Sequence, residues 1–256
     1  MYLTIQGIVR RVTDYNDRDA LLTLLTSHHG RLTVKARGLR RKNSPLTAPC
    51  QLLAYGEFTL FEYRGQYTIN EAHTLELFNP LRRDLNKLSL GTYFAQVSEV
   101  LSQEDLPNPE LQSLLLNSLY ALSRLDLPQQ QIKAVFELRA ACLSGYTPDL
   151  FGCHACGNQN PERFDLSAGH LECGSCRDPE SSGIRIPVTG AVLEAMRYIS
   201  LCDPKKLFSF RVGEQTLQQL SALTEAYLVT QLERGFPTLD FYKSLLNAGA
   251  AEHGIS

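Results

Sequence analysis

The sequence predicts an α+β multidomain protein: a small β-barrel at the N-terminus, then an all-α domain carrying a cysteine-rich insertion. Three observations predict it. Five strand-like runs fill residues 1–78 with no helical pattern between them, leucine stripes at helical spacing begin after Asn79-Pro80, and four cysteines form two Cys-x-x-Cys pairs between residues 153 and 176. The expected division is 1–78 for the barrel, 79–150 with 187–256 for the helical domain, and 151–186 for the insertion.

Tyr2 to Val12 is rich in β-branched and aliphatic residues, and ALLTLLT (Ala20 to Thr26) and RLTVKA (Arg31 to Ala36) follow, with His29-Gly30 as the turn between them. EFTLFEY alternates, placing Phe58, Leu60 and Glu62 on one face and Thr59, Phe61 and Tyr63 on the other. Arg64-Gly65 predicts a tight connection into QYTINEAHTLEL, which completes a hairpin. Five strands in so short a stretch fit a closed barrel of the OB type.

At Asn79-Pro80 the period changes. Asn caps helices and Pro suits their first position, so a helix is expected there, with Leu81, Leu85, Leu88, Phe94, Val97 and Leu101 on its apolar stripe. Asn108-Pro109 repeats the signal ahead of Leu111, Leu115, Leu119, Leu122 and Leu125. A third helix is expected from Pro128, with Gly145 past its end. A short helix from Thr189, a longer one through Leu217 to Leu228, and a last turn or two near Tyr242 to Leu246 complete the pattern. The leucine stripes read as bundle core rather than as a zipper.

Composition narrows the class. In 256 residues no apolar run approaches the roughly 20 needed to span a bilayer, and MYLTIQGIVRRV lacks the pattern of a signal peptide. The expected location is therefore a reducing cytoplasm, where disulfides are disfavoured. The net charge of −2 hides an asymmetry: Ala20 to Gly56 holds six Lys or Arg and no Asp or Glu, leaving the remainder at −8. A polyanion partner for one part of the molecule is the implication.

Cys153, Cys156, Cys173 and Cys176 match the spacing of a structural zinc site, in which each pair supplies two thiolates at tetrahedral angles. Gly157 and Gly174 suit tight turns around the sulfurs. The intervening segment has few apolar residues and is expected not to fold by burial alone. A bound metal, worth roughly 10–16 kcal/mol in isolated finger peptides, would order it. A redox pair would want a βαβ unit, which is absent, and catalytic zinc keeps an open position that four cysteines close. His154 and His170 are alternative ligands, though both read better as solvated. Cys50, Cys142 and Cys202 read as ordinary buried residues.

GRLTVKARGLRRKNSPLT places Arg31, Lys35 and Arg37 along a strand and Arg40, Arg41 and Lys42 on a loop. Such a run is often only a solvated surface. Its position in an OB-type barrel, with Tyr15, Tyr55, Phe61, Tyr63 and Tyr67 interleaved, favours a nucleic-acid surface. Arg10 and Arg11 add charge from the first strand. No G-x-S-x-G, Walker A or H-E-x-x-H is present, and the expectation is a protein that is not an enzyme. Two rivals stand beside it: a metal-dependent nuclease using Asp14, Asp17 and Asp19, and a non-enzymatic interaction scaffold with a structural zinc finger.

The stretch QGIVRRVTDYNDRDALLTLLTSHHGRLTVKARGLRRKNSPL resembles the N-terminal pattern of the bacterial RecO family of recombination mediators. FNPLRRDLNKL resembles that family's entry into its helical domain, and FELRAACLSGYTPDLFGCHACG its run into a zinc segment, as in the zinc-finger-containing subgroup. The chain departs from the pattern at Leu52-Leu53 and at Gly169-His170. The resemblance implies an OB-fold domain, a helical domain and a finger holding one structural Zn2+. It implies binding of single- and double-stranded DNA, annealing of complementary strands, and loading of the RecA recombinase onto strands coated by single-strand-binding protein, together with RecR, at the nucleoid. Carried onto this chain, the DNA-contacting residues are Arg37, Arg40, Arg41 and Lys42, with Lys35 beside them. Lys133 and Arg139 are the candidates to receive the acidic tail of single-strand-binding protein.

Overall fold

The computed structural model describes residues 1–176 and 183–253, with the side chains of 249–253 left aside. Contacts group the chain into two compact units, residues 1–125 with 236–256, and residues 126–235. The helices therefore divide between units, whereas the sequence division followed changes in residue period.

The first unit is built on a five-stranded closed barrel of OB type: β1 (Tyr2–Asp14), β2 (Ala20–Thr26), β3 (Gly30–Ala36), β4 (Tyr55–Tyr63) and β5 (Gln66–Glu76), in the order β1-β2-β3-β5-β4. All pairings are antiparallel except β3 with β5, where Val34 faces Tyr67. The alternation read from the sequence sets the pleat. Phe58 and Leu60 point inward and join Ile5, Val9, Leu22, Leu24, Leu32, Val34 and Ile69 in the core, while Phe61 and Tyr63 face out. Arg64 and Gly65 both take left-handed backbone (φ 52° and 74°), the geometry that closes a two-residue hairpin.

Asn79-Pro80 opens only a 3-10 turn, Asn79–Arg83. The following helix, α1 (Leu85–Leu101), is capped by Asp84, whose carboxylate accepts from the Lys87 N–H at 3.0 Å. Helix α2 (Pro109–Arg124) starts as expected, with Asn108 accepting from Leu111 N–H at 3.0 Å. Gln112 of α2 reaches back to the barrel, donating to the carbonyl of Leu25 at 3.3 Å. The C-terminal element is longer than the sequence suggested: α6 (Pro237–His253) is a 17-residue helix packed on α1, with Phe236 edge-on to Tyr93 at 5.6 Å.

The second unit packs α3 (Gln129–Leu143) against α4 (Gly190–Leu201) and α5 (Glu214–Gln231). Residues 131–138 of α3 are all buried, so this helix is enclosed on every side rather than amphipathic. Thr189 caps α4, and Gly145 follows α3 in left-handed backbone (φ 91°), both as expected. The insertion forms a four-stranded sheet from β6 (Asp149–Cys153), β7 (Arg163–Asp165), β8 (His170–Glu172) and β9 (Arg185–Pro187), ordered β6-β8-β7-β9. It has its own apolar anchor, contrary to the sequence reading. Phe164, Leu166 and Leu171 are fully or nearly fully buried, and Phe164 stands edge-on to Tyr227 of α5 at 5.3 Å. Gln231 of α5 donates to the Leu166 carbonyl at 2.7 Å, and Arg197 of α4 to that of Leu150 at 2.7 Å. Among the described residues no helix is long and apolar enough to cross a membrane.

Candidate metal centre and nucleic-acid interface

Strand β6 delivers Cys153 and the chain turns through left-handed Gly157 (φ 73°), whose N–H donates to the Cys153 carbonyl at 2.8 Å. Strand β8 delivers Cys173, and a 3-10 turn, Gly174–Cys176, brings Cys176 back. The four sulfurs lie within 4.8 Å of one another, and Sγ of Cys156 is 3.8 Å from Sγ of Cys173. Zn–S bonds of about 2.3 Å at tetrahedral angles put sulfurs about 3.8 Å apart, so the residues fit that ion. Backbone N–H of Cys173 donates to Sγ of Cys153 at 3.3 Å, and the Asn158 amide to Sγ of Cys173 at 3.1 Å.

The thiols are electrically unequal. Burial pushes the Cys153 thiol up, yet N–H groups of Cys156, Cys173 and Ala155 outweigh it and bring the value down to about 6. The Cys176 thiol is pushed up to about 11, chiefly by its hydrogen bond with Cys156. A first negative charge thus forms readily and the next is opposed by it. A bound dication removes that opposition by supplying the counter-charge. Neither histidine competes as a ligand within the cluster. His154 stacks on His170 with ring centres 4.3 Å apart, and His170 meets Glu172 at 3.3 Å. Glu172 in turn accepts from Arg185 at 2.6 Å, which holds its carboxyl below the ordinary range. Of the remaining cysteines Cys50 is buried, with its thiol pushed up to about 12 by burial, while Cys142 and Cys202 are half-buried.

The basic loop is shaped by a chain of turns. Arg41 N–H donates to the Gly38 carbonyl, Ser44 to Arg41 and Thr47 to Ser44, each at 3.1 Å. Leu46 and Cys50 then plug into the barrel core and fix the loop to it. Its near end is pinned by Asp19, which accepts from Gly38 N–H at 2.9 Å. That bond, before those of Asn16 and Lys35, holds the Asp19 carboxyl below the ordinary range.

This arrangement sorts the five sequence candidates into two groups. Arg37, Arg41 and Lys42 line a cleft of about 670 Å³ between the loop and β5, whose other wall carries Asn70, Glu71 and His73. All three cations are exposed. Arg40 turns away and pairs with Asp14, and Lys35 pairs with Asp19 at 3.2 Å while lying 4.2 Å over the Tyr15 ring. Asp14 and Asp19 are thus engaged as counter-ions of the basic segment.

The two cations on α3 are both engaged within the protein. Lys133 is enclosed, 3.0 Å from Glu137 and 2.8 Å from Glu225. Burial alone would lower its ammonium, but the two carboxylates outweigh burial and hold it above its ordinary value. Arg139 donates to the Ser200 carbonyl at 2.6 Å, at the end of α4. The burial of α3, which helical spacing did not disclose, withdraws Lys133 from the surface, while Arg139 is only half-buried.

A closed five-stranded barrel with a cation-lined cleft, in one chain with a four-thiol module docked on helices, defines an OB-type barrel protein with a metal-competent finger. Residues 1–78 match the family described as Recombination protein O N terminal, and residues 82–240 match Recombination protein O C terminal. The DNA repair protein RecO of Acetivibrio thermocellus is 34% identical over 250 residues, covering 95% of this chain and 97% of the relative. That of Alkaliphilus metalliredigens is 29% identical over 248 residues, covering 96% and 100%. That of Bacillus pumilus is 29% identical, covering 89% of this chain and 88% of the relative. The chain belongs to the RecO family.

Proposed function

We propose that the chain is a non-enzymatic recombination mediator: it holds single- and double-stranded DNA by the phosphate backbone, anneals complementary strands, and with RecR helps RecA replace single-strand-binding protein. The observation that carries this reading is the cleft lined by Arg37, Arg41 and Lys42. Three exposed cations on a loop anchored in a barrel grip phosphates and read no base edge. Pairing edges therefore stay open while charge repulsion between two strands is screened, which is what annealing requires. The ion the finger holds is zinc, in a structural role.

The nuclease alternative rests on Asp14, Asp17 and Asp19, and two of the three, Asp14 and Asp19, already serve Arg40 and Lys35. The test is annealing of complementary oligonucleotides precoated with single-strand-binding protein. Arg37→Ala/Arg41→Ala/Lys42→Ala is expected to slow annealing at least tenfold, and Arg40→Ala, already neutralised by Asp14, to slow it far less. No annealing by a folded, zinc-loaded wild type would leave the scaffold reading in its place.

A further inference from the structure

The strand β1 carries a bulge. Its register against β2 shifts between Val9 and Arg11, leaving Arg10 as the extra residue. The bulge turns the Arg10 side chain inward, where it is 4% exposed. Its Nη1 donates to Ser102 Oγ at 3.0 Å, while Nε and Nη2 find no acceptor among the described protein atoms. A buried guanidinium with two idle donors is costly, and stability alone gives no reason to keep it.

Two further arginines flank it, each covered by an acid from the stretch that ends α1 and leads to α2. Arg11 meets Glu99 at 2.7 Å, and Arg31 meets Glu104 at 3.2 Å. Residues 102–104 lie against two of the trio, Arg10 through Ser102 and Arg31 through Gln103 and Glu104, while Arg11, with its side chain 59% exposed, is met by Glu99 of α1. The segment is joined to the start of β3 by isolated bridges from Glu104 and by the Arg31 N–H, which donates to the Gln103 carbonyl at 2.9 Å. Asp105, next along the chain, has left-handed backbone (φ 55°). Gly30 makes the close approach possible, since a Cβ there would overlap the carbonyl oxygens of Gln103 and Leu106.

We infer that Arg10, Arg11 and Arg31 form a second phosphate-binding surface of the barrel, open at Arg11, in which the segment after α1 straps Arg10 and Arg31 and a DNA backbone displaces it. The carboxylates of Glu99 and Glu104 occupy the places that phosphates take in the open form. Lifting the strap exposes the third guanidinium with its donors unspent. Burial, more than the neighbouring Arg31 and Arg11, lowers the Arg10 guanidinium to about 10 against the opposing pull of Glu99, so a phosphate arriving there relieves an existing strain. This rests on the DNA-binding reading above, and adds that the free protein holds part of its DNA surface closed.

The test is the salt dependence of binding to a 30-nucleotide oligothymidine. Glu99→Gln/Glu104→Gln is expected to bind roughly three- to tenfold tighter near 0.1 M salt, with a slope steeper by about 1 to 2. Glu104→Gln alone, on an exposed side chain, should show part of the gain even if the double variant folds poorly. Adding Arg11→Ala and Arg31→Ala should abolish the gain. In the wild type, DNA should speed amide exchange at Arg31 as its bond to Gln103 is lost. Unchanged affinity in Glu104→Gln and the double variant, a gain that survives removal of both arginines, or an Arg31 amide equally protected with DNA bound would overturn the inference. A wild type with no salt-dependent affinity at all would instead remove the DNA-binding reading beneath it.

Discussion

Cys173→Ser is expected to abolish stoichiometric zinc and lower the melting temperature by roughly 10 °C, since loss of a structural metal belongs to the largest class of single-site effects. The damage should be graded along the finger. The metal end, residues 153–160 and 173–176, is held by the four sulfurs and should exchange its amides freely. The β7–β8 hairpin should stay protected, because Phe164 packs on Tyr227 and Gln231 holds the Leu166 carbonyl without any help from a metal. DNA affinity should be unchanged, as the cation-lined cleft belongs to the barrel. Mass spectrometry for the metal and hydrogen exchange for the protection pattern check this. Full zinc retention, or uniform loss of protection including Phe164, would contradict it.

Lys133→Met is expected to cost about 3–5 kcal/mol, because it leaves the wholly buried Glu137 charged without its ammonium partner. At about 2–4 °C per kcal/mol the melting temperature should fall by roughly 10 °C. Thr224, donating to Glu137 at 2.9 Å, is a neutral partner and does not replace the lost cation. The double variant Lys133→Met/Glu137→Met should recover much of the loss, since burying neither charge avoids the desolvation that the pair overcomes. The pH dependence follows from the direction of the shift. Lys133 is raised on folding, so its contribution is fully present below the unfolded value near 10.4 and is lost only as pH rises through the folded value. On the lysine side the network should thus be insensitive to pH across neutrality and weaken in strong alkali. A loss under about 1 kcal/mol in Lys133→Met would show that the ion pair is not the buried anchor described here.

The barrel was legible in the sequence because its strands are long enough to alternate, as Phe58 and Leu60 against Phe61 and Tyr63 show. The metal cluster was legible because thiol spacing alone restricts where four sulfurs can meet. What escaped has physical reasons too. Strands of three residues, such as β7, β8 and β9, leave no alternation to read. Asn79-Pro80 suits a 3-10 turn as well as an α-helix, and the choice fell to the left-handed Phe78 and the Asp84 cap. Helical spacing on α3 marked an apolar stripe but could not reveal that the opposite face is buried as well, which removed Lys133 from the surface. The basic run reads in the sequence as one group, and only the fold separates Arg37, Arg41 and Lys42, which share a cleft, from Arg40 and Lys35, which are held by Asp14 and Asp19. The bulge at Arg10 escaped because Ile8-Val9 and Arg10-Arg11 are doublets of like residues, which leave no alternation there for an extra residue to interrupt.

The measurement that tests the central claim most directly is oligonucleotide affinity against salt for the wild type beside Arg37→Ala/Arg41→Ala/Lys42→Ala. Each phosphate contact to a single strand contributes about 0.7 to the slope, so removing three cations should flatten it by about 2 and weaken binding at every salt concentration. An unchanged slope in a folded variant would mean that DNA is held elsewhere on the molecule and that the cleft is only a solvated surface.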